Sequence, residues 1–221
     1  MGETNLINDR IDEVAARFRT KGAAAEHAPY GNGHINDTFL VVCGTQEGER
    51  RRYILQKMNH SIFKMPQQLM ENVVNVTEYL REMIARRGGD PDRETLNVVK
   101  TKDGSNYYLD DEGNYWRMFL FVEQTGWGSF FFIYMICLEK VESAKDFYDS
   151  AVAFGNFQKM LSDYPAQTLY ETIPNFHNTP SRFSDFQRAV QEDRMGRAAQ
   201  AKEEIAFALA READTRVLTD M

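Results

Sequence analysis

The sequence is poor in cysteine and lacks any excess of positive charge. Its 26 lysines and arginines are outnumbered by 33 aspartates and glutamates, so the formal net charge is −7 and the pI is near 5.2. A broad nucleic-acid surface needs clustered Lys and Arg. We therefore exclude nucleic acid as a partner, although a locally basic pocket for a phosphate remains compatible with this charge. Cys43 and Cys137 lie far apart without metal-ligand spacing, so we expect a reducing compartment and no disulfide framework.

The sequence also lacks the features that direct a chain to a membrane. Residues 1–5 (MGETN) lead into an amphipathic pattern and not into the apolar core of a secretory signal. Leu6 stands where a myristoylation pattern requires Ser or Thr. The apolar run at 126–135 is too short to span a bilayer. We expect a cytoplasmic protein with no membrane partner.

The 43% of apolar residues are enough for a substantial core, either in one larger domain or in two lobes. Apolar periodicity predicts an amphipathic helix at 5–18, then a Lys-Gly-Ala-rich connection, and then strands and one long helix. The strands are predicted up to Cys43 and at 51–59, 96–100, 106–109 and 115–122, with the helix from Pro66 to Arg87. From Ser143 onward only helices are predicted, at 146–161, 180–191 and 193–212, and the aromatic stripe Phe147, Phe154 and Phe157 is typical of a core.

This order predicts an α+β fold. Residues 1–122 would form an antiparallel β-rich lobe with one inserted helix, residues 123–142 a joint with an atypical apolar insert, and residues 143–221 the first helices of a second lobe. Nucleotides often bind in the cleft at such a joint.

One stretch, residues 30–38 (YGNGHINDT), carries two glycines around one polar residue and leads into the apolar run 39–43, which predicts a glycine-bearing turn between two β-strands. Glycine permits positive φ and lets backbone N–H groups approach a ligand such as a phosphate. An ordinary hairpin turn also uses Gly-Asn-Gly, and taken alone the stretch favours that plain turn. The residues that follow favour a nucleotide site.

Gln56 and Lys57 end the predicted strand 51–59, and strand alternation places them on opposite faces, so only one can point at whatever the glycine turn holds. Glu71 falls in the second turn of the next helix. A strand that ends in Lys, followed by a helix with an early Glu, is the layout in which that Glu orients a phosphate-binding Lys. Alternatively, Glu71 only complements the helix N-terminus.

Together these residues resemble the aminoglycoside phosphotransferase family, and within it the N-acetylhexosamine 1-kinase-like branch. The resemblance extends over nearly the whole chain in register and is carried by residues 31–38, 53–59, 69–73, 116–117, 153–158 and 173–180. It implies a protein-kinase-like fold in which ATP and Mg²⁺ phosphorylate a sugar hydroxyl, the anomeric one in that branch.

The resemblance also implies roles for ten residues. The loop over the ATP phosphates would be Gly31, Asn32 and Gly33, with His34 at its end facing the transfer site. The phosphate-binding position on the strand would be Lys57 or Gln56, of which chemistry favours Lys57, with Glu71 as its helix partner. Phe121, Val122 and Glu123 would form a hinge whose backbone meets the adenine edge. Such a site acts by positioning the phosphates and neutralising their charge.

The sequence departs from the family pattern in two places. The family's catalytic loop, His-Asn-Asp or His-Gly-Asp, and its metal-binding Asp do not occur, and residues 177–179 (HNT) match that loop by letters but lack a following Asp. We therefore name no catalytic residue and no metal ligand, and we expect a fragment that is inactive alone. The run at 126–135 is the second departure; it is an extra strand or helix, a partner-binding patch or non-native sequence, and we favour the last.

The sequence thus predicts a chain from the lineage of ATP-dependent sugar phosphotransferases, with a nucleotide and a small sugar as its partners. The alternative is a nucleotide-binding or scaffold module that performs no chemistry. A third possibility is a structural domain without a ligand.

Overall fold

The computed structural model of the protein describes residues 10–31, 35–45, 47–122 and 143–220. The chain divides into two compact units, Met1–Thr172 and Ile173–Met221. The predicted joint at 123–142, with its apolar insert and Cys137, lies outside the described residues. The lobe boundaries at 122 and 143 therefore stay predictions.

The first unit is built on an antiparallel sheet of six strands, which confirms the mixed α and β content. The strand order is β1-β2-β3-β6-β4, and β5 also pairs with β6. Their bounds are β1 Ala23–Pro29, β2 Asp37–Gly44, β3 Arg50–Lys57, β4 Val98–Val99, β5 Tyr108–Leu109 and β6 Tyr115–Leu120.

The hairpin of β2 and β3 follows the sequence pattern closely. Each strand carries a short apolar run whose burial alternates along the strand, and the register pairs Phe39 with Leu55 and Val41 with Tyr53. The turn between them is closed by a hydrogen bond from the Thr45 N–H to the Glu49 carbonyl, and Gly48 supplies the positive φ (86°) that the turn requires. The predicted hairpin across residues 44–50 is confirmed.

Strand β1 is the strand expected before the glycine turn, and it occupies the region that was predicted only as a Lys-Gly-Ala-rich connection. Its sequence, AAAEHAP, has low β-propensity, but its backbone pairs with β2 from Ala23 opposite Gly44 to Pro29 opposite Phe39. Gly22 precedes it at φ +85°, and a Cβ there would overlap the carbonyl oxygen of Gly44. An edge strand held by backbone pairing carries little signal in its side chains.

Helix α1, described over residues 10–15, covers one side of the sheet. Its apolar face was predicted, and the described part confirms it, because Ile11, Val14, Ala15 and the following Phe18 are all at most 3% exposed. They join the buried side chains of β2, β3 and β6 in one core cluster, whose strand members are Val41, Cys43, Tyr53, Leu55, Trp116 and Met118.

The turn between β5 and β6 is tied to α1 through a buried carboxylate. Asp110 accepts hydrogen bonds from the indole Nε1 of Trp116 (2.7 Å) and the backbone N–H of Asn114 (2.8 Å), and it pairs with Arg10 Nη2 at 2.8 Å. Burial opposes the ionisation of Asp110, but these hydrogen bonds outweigh it and hold the pKa of Asp110 well below its usual range. One ionised side chain therefore joins helix, turn and sheet.

Helix α2, Pro66–Arg86, begins with proline in its first turn and ends before Gly88 at φ +79°. This confirms the helix predicted between Pro66 and Arg87. Helix α3, Pro91–Glu94, follows and is capped by the Asp90 side chain, which accepts from the Asp92 N–H at 3.0 Å. None of the helices among the described residues is both long and apolar enough to cross a membrane.

Helix α4, Ala144–Met160, confirms a predicted helix but not the predicted burial of its aromatic residues. Phe147, Phe154 and Phe157 are 66%, 68% and 43% exposed. In the described part of the chain, nothing packs over α4 closely enough to bury any of its residues. The expectation of an aromatic core in this helix is therefore wrong for this structure.

The second unit contains α5, Thr179–Glu192, and α6, Lys202–Leu209. The single helix predicted at 193–212 begins later than expected and is shorter. Asp193 takes a left-handed conformation, and its carboxylate accepts hydrogen bonds from the N–H groups of Arg197 and Ala198, so residues 193–197 form a turn. At the start of α5, Asn178 accepts from the Ser181 N–H at 3.0 Å. The letters His177-Asn178-Thr179 thus mark a helix cap.

Candidate functional site

The two faces of the sheet differ in what covers them. Residues that pair across antiparallel strands project to the same side, so the pairing assigns each side chain to a face. The covered face carries the core cluster beneath α1, including Val41, Leu55 and Met118. The opposite side we call the open face; its half-buried residues on β2, β3 and β6 include Thr38, Leu40, Ile54, Gln56 and Arg117.

Helix α2 covers only one part of the open face. Met70 and Val74 of α2 cluster with Met58, and Val98 and Tyr115 pack against this cluster. Val98 pairs with Phe119, and Tyr115 and Phe119 alternate with the residues of the covered face, so α2 lies over the β4 and β6 side. The part of the open face on β2 and β3 keeps its partial exposure.

The structure places Gln56 on the open face. Its amide Nε2 donates to Thr38 Oγ1 at 3.0 Å, and its Oε1 accepts from Arg117 Nε at 3.0 Å. Arginine can only donate, so the Gln56 oxygen must face Arg117 and its amide nitrogen must face Thr38. Gln56 is therefore held in one orientation between two neighbouring strands.

Lys57 projects to the covered side, opposite Trp116 in the register. Its ammonium lies 3.9 Å from the Asp37 carboxylate. The expected pair with Glu71 does not form between these two described residues; Glu71 is exposed and accepts from the Tyr170 hydroxyl at 3.4 Å. The predicted interaction between Lys57 and Glu71 is therefore not formed in this structure.

The glycine turn is described at its first residue and in its second half. Gly31 has φ +78°, and a Cβ there would meet nothing within 4 Å. The turn is fixed at its base by the bond from the Tyr30 N–H to the Thr38 carbonyl (2.9 Å) and by Asn36 Oδ1, which accepts from the Asn59 N–H (3.0 Å). Asn32, Gly33 and His34 lie outside the described residues, so their predicted roles stay predictions.

The predicted hinge residue Phe121 reaches over the open face. Its ring lies 5.7 Å from the Tyr30 ring in an edge-to-face arrangement, although β1 and β6 are separated by two strands. The Arg52 guanidinium lies 4.4 Å from the same ring, and Arg52 alternates onto the face of Gln56. The pair of Tyr30 and Phe121 therefore spans the open face.

The backbone of the predicted hinge is partly engaged. The Phe121 N–H donates to the Arg52 carbonyl at 3.1 Å and so is used within the sheet. Val122 is half-buried, and Glu123 lies outside the described residues. The backbone N–H of Val122 makes none of the hydrogen bonds between strands that the structure describes.

Arg117 is the functional candidate to which sequence analysis assigned no role. It is half-buried beside Gln56, and its guanidinium lies 5.2 Å from the Phe119 ring. Burial lowers the pKa of Arg117 to about 10, and no carboxylate in the described ranges pairs with it. The signal was present in the alternation of YWRMFL, which places an arginine between Tyr115 and Phe119 on a face that is otherwise apolar.

Two cavities lie away from Gln56, Arg117 and Phe121. One of about 480 Å³ lies between α1 and the turn after β4, with Arg17 and Lys102 facing Glu13 and Asp103. The other, of about 70 Å³, lies between α2 and β4. Neither includes Gln56, Arg117 or Phe121, and the balanced charges of the larger cavity indicate no particular class of ligand.

A comparison of the sequence with models of known protein families found no match. Among the residues with described structure, no group of three or more His, Cys, Asp or Glu side chains could hold a metal ion. The site is defined by its own residues: Gly31 at the turn, Tyr30 and Phe121 above the sheet, and Gln56 with Arg117 in it.

Proposed function

We propose that the protein binds the nucleotide ATP on the open face and derives from kinase-like phosphotransferases that act on a small sugar. In that reaction the bond between the γ-phosphorus and the ADP oxygen breaks, a bond from phosphorus to the sugar oxygen forms, and the hydroxyl proton leaves. The family resemblance supports the lineage, and the geometry of the open face supports the nucleotide.

The observation that carries the proposal is the aromatic pair of Tyr30 and Phe121 over the open face. Half-buried Leu40 and Ile54 belong to the same face, so a planar apolar ring would find contacts on two sides. Gly31 directly follows Tyr30 and leaves its surroundings open. The base and the phosphates of a nucleotide therefore have separate places along one face.

The proposal is tested by nucleotide-dependent stability of the full chain. At about 100 times its dissociation constant, a ligand adds roughly 2.7 kcal/mol to a folded binder. For a chain of this length that corresponds to a rise in melting temperature of about 5–10 °C. We expect such a rise with ATP and a smaller one with adenosine; no shift with either would refute nucleotide binding.

Two variants locate the base. Tyr30→Ala and Phe121→Ala remove one half of the aromatic pair each, and we expect each to weaken adenosine binding about 10-fold. Tyr148→Ala is the matched control, because Tyr148 is a 68% exposed aromatic on α4. Equal affinities in all three variants would place the base elsewhere.

A nucleotide-binding module without chemistry is the second candidate. It is favoured by the finding that the single His-Asn step of the sequence, His177-Asn178, caps a helix. Incubation with Mg²⁺, ATP and N-acetylhexosamines, followed by detection of ADP and sugar phosphate, separates the two. Stoichiometric ATP binding without turnover would favour the module.

A further inference from the structure

We infer that Arg117 is the cation that binds the phosphates of the nucleotide on the open face, a role that the family resemblance gave to Lys57 or Gln56. This inference rests on the proposed nucleotide function. It places the positive charge that binds the phosphates on β6, and Gln56 becomes the residue that positions Arg117.

The first argument is position. Thr38, Gln56 and Arg117 lie opposite one another on three adjacent strands and are joined by two hydrogen bonds of 3.0 Å. Neighbouring strands are about 4.8 Å apart, so the Cα of Arg117 lies about 10 Å from that of Thr38. A long arginine side chain spans much of that distance. Thr38 in turn accepts from the Tyr30 N–H at the base of the glycine turn.

The second argument is the number of donors that remain. Arginine has five N–H donors, and Gln56 takes the one on Nε. In the described ranges, we find no side chain that accepts from the two terminal nitrogens of Arg117. Four donors in a planar fork therefore remain, and this fork matches the oxygens of a phosphate. The Phe119 ring limits the movement of the guanidinium.

The third argument is charge. Two other partly buried arginines of the first unit pair with carboxylates: Arg10 with Asp110 at 2.8 Å and Arg81 with Asp92 at 3.0 Å. Arg117 has no such partner among the described residues, and a buried charge without a counter-ion is costly. Its pKa of about 10 still leaves it charged at neutral pH. A bound anion would offset that cost.

The alternative cation, Lys57, lacks these properties. Its side chain belongs to the covered side and lies beside Asp37, which already supplies a negative charge at 3.9 Å. A phosphate on the open face would be separated from it by the sheet. Strand alternation thus places Arg117 on the face of the proposed ligand and Lys57 on the opposite face.

The test measures dissociation constants of the full chain for ATP and adenosine by calorimetry. We expect Arg117→Gln to weaken ATP binding about 10- to 100-fold, the range for a charge-assisted hydrogen bond, and to change adenosine binding less than about 3-fold. Arg117→Lys keeps the charge but loses the fork, so its loss should be intermediate. Arg86→Gln is the matched control, since Arg86 is exposed on α2.

Other outcomes separate the two proposals. If the wild type binds neither ligand, the proposed function fails and this inference fails with it. If the wild type binds ATP, Arg117→Gln binds it equally well and Lys57→Gln binds it poorly, only this inference is overturned.

A measurement on the unmodified chain covers the case in which the variants do not fold. The guanidinium nitrogen signals of Arg117, observed by NMR, should shift on addition of ATP or inorganic tripolyphosphate. They should not shift with adenosine. Unchanged Arg117 signals in the presence of saturating ATP would refute the contact.

Discussion

The covered face and the open face of the sheet are made by the same strands but differ in burial and in the side chains they carry. On β3, Tyr53 and Leu55 are at most 3% exposed beneath α1, whereas the alternating Ile54 and Gln56 stay half-buried. The covered face contains a tight apolar cluster with one ionised anchor, Asp110. The open face combines apolar residues with a hydrogen-bonded row that ends in an arginine. Strand alternation thus separates the buried core from the face on which we propose that the nucleotide binds.

The largest expected effect on stability comes from shortening one side chain on each face. Leu55→Ala removes a fully buried side chain and should cost about 4 kcal/mol of unfolding free energy. Ile54→Ala, the adjacent and half-buried residue, should cost about 1 kcal/mol. Denaturant unfolding followed by circular dichroism measures both. Equal losses would mean that the open face is as essential to the core as the covered one.

Next in size is the loss of the ionised anchor. Asp110→Asn leaves Arg10 without its buried counter-charge and should cost on the order of 3 kcal/mol at neutral pH. Because the native pKa of Asp110 lies below its unfolded value near 3.9, its contribution is complete above about pH 5. It is lost as the pH falls through the native pKa.

The difference in stability between wild type and Asp110→Asn should therefore narrow below pH 5. Asp111→Asn, an exposed neighbour, is the control and should track the wild type. A difference that stays constant down to pH 2 would show that the charge of Asp110 does not stabilise the fold.

A smaller effect separates stability from recognition at the turns. Gly31 and Gly48 both have positive φ and open surroundings, so alanine at either position should cost about 1 kcal/mol of stability through backbone strain alone. Only Gly31→Ala should also weaken ATP binding, because only Gly31 adjoins the open face. Parallel thermal melts and ATP titrations would reveal this; identical binding by both variants would argue against a phosphate at this turn.

The smallest expected effect is that of Lys57→Gln. Its pair with Asp37 is partly exposed and should contribute less than about 0.5 kcal/mol. ATP affinity should change less than 2-fold, since the side chain lies on the covered side. A 10-fold loss of affinity would reverse the assignment of the two faces to stability and recognition.

Local patterns predicted much of the fold. The helical periodicity of α1 and α2 predicted those helices, because burial on one side of a helix leaves a repeating pattern in the sequence. The apolar runs of β2 and β3, separated by a polar turn, predicted those two strands. The bounds of strand β1 were not predicted, because its pairing uses backbone groups. The helix predicted at 193–212 begins late, because the Asp193 carboxylate accepts hydrogen bonds from the backbone N–H groups of Arg197 and Ala198.

The candidate site was harder to predict because it depends on pairing between distant strands. Sequence alternation separated Gln56 from Lys57 but could not say which one shares a face with Arg117, since that requires the register of β3 with β6. Glu71 was expected to pair with Lys57, but its carboxylate accepts a hydrogen bond from the hydroxyl of Tyr170, which is distant in sequence. The protein-kinase-like fold itself stays a prediction.

The buried Cys43 gives the covered face a built-in reporter. Its thiol is fully enclosed beneath α1, and burial raises its pKa, so little thiolate is available to an alkylating reagent while the helix stays in place. In a chain with Cys137 replaced by Ser, the rate of alkylation would measure how often α1 lifts from the sheet. A ligand on the opposite side that stiffens the strands would slow this chemistry without touching the sulfur.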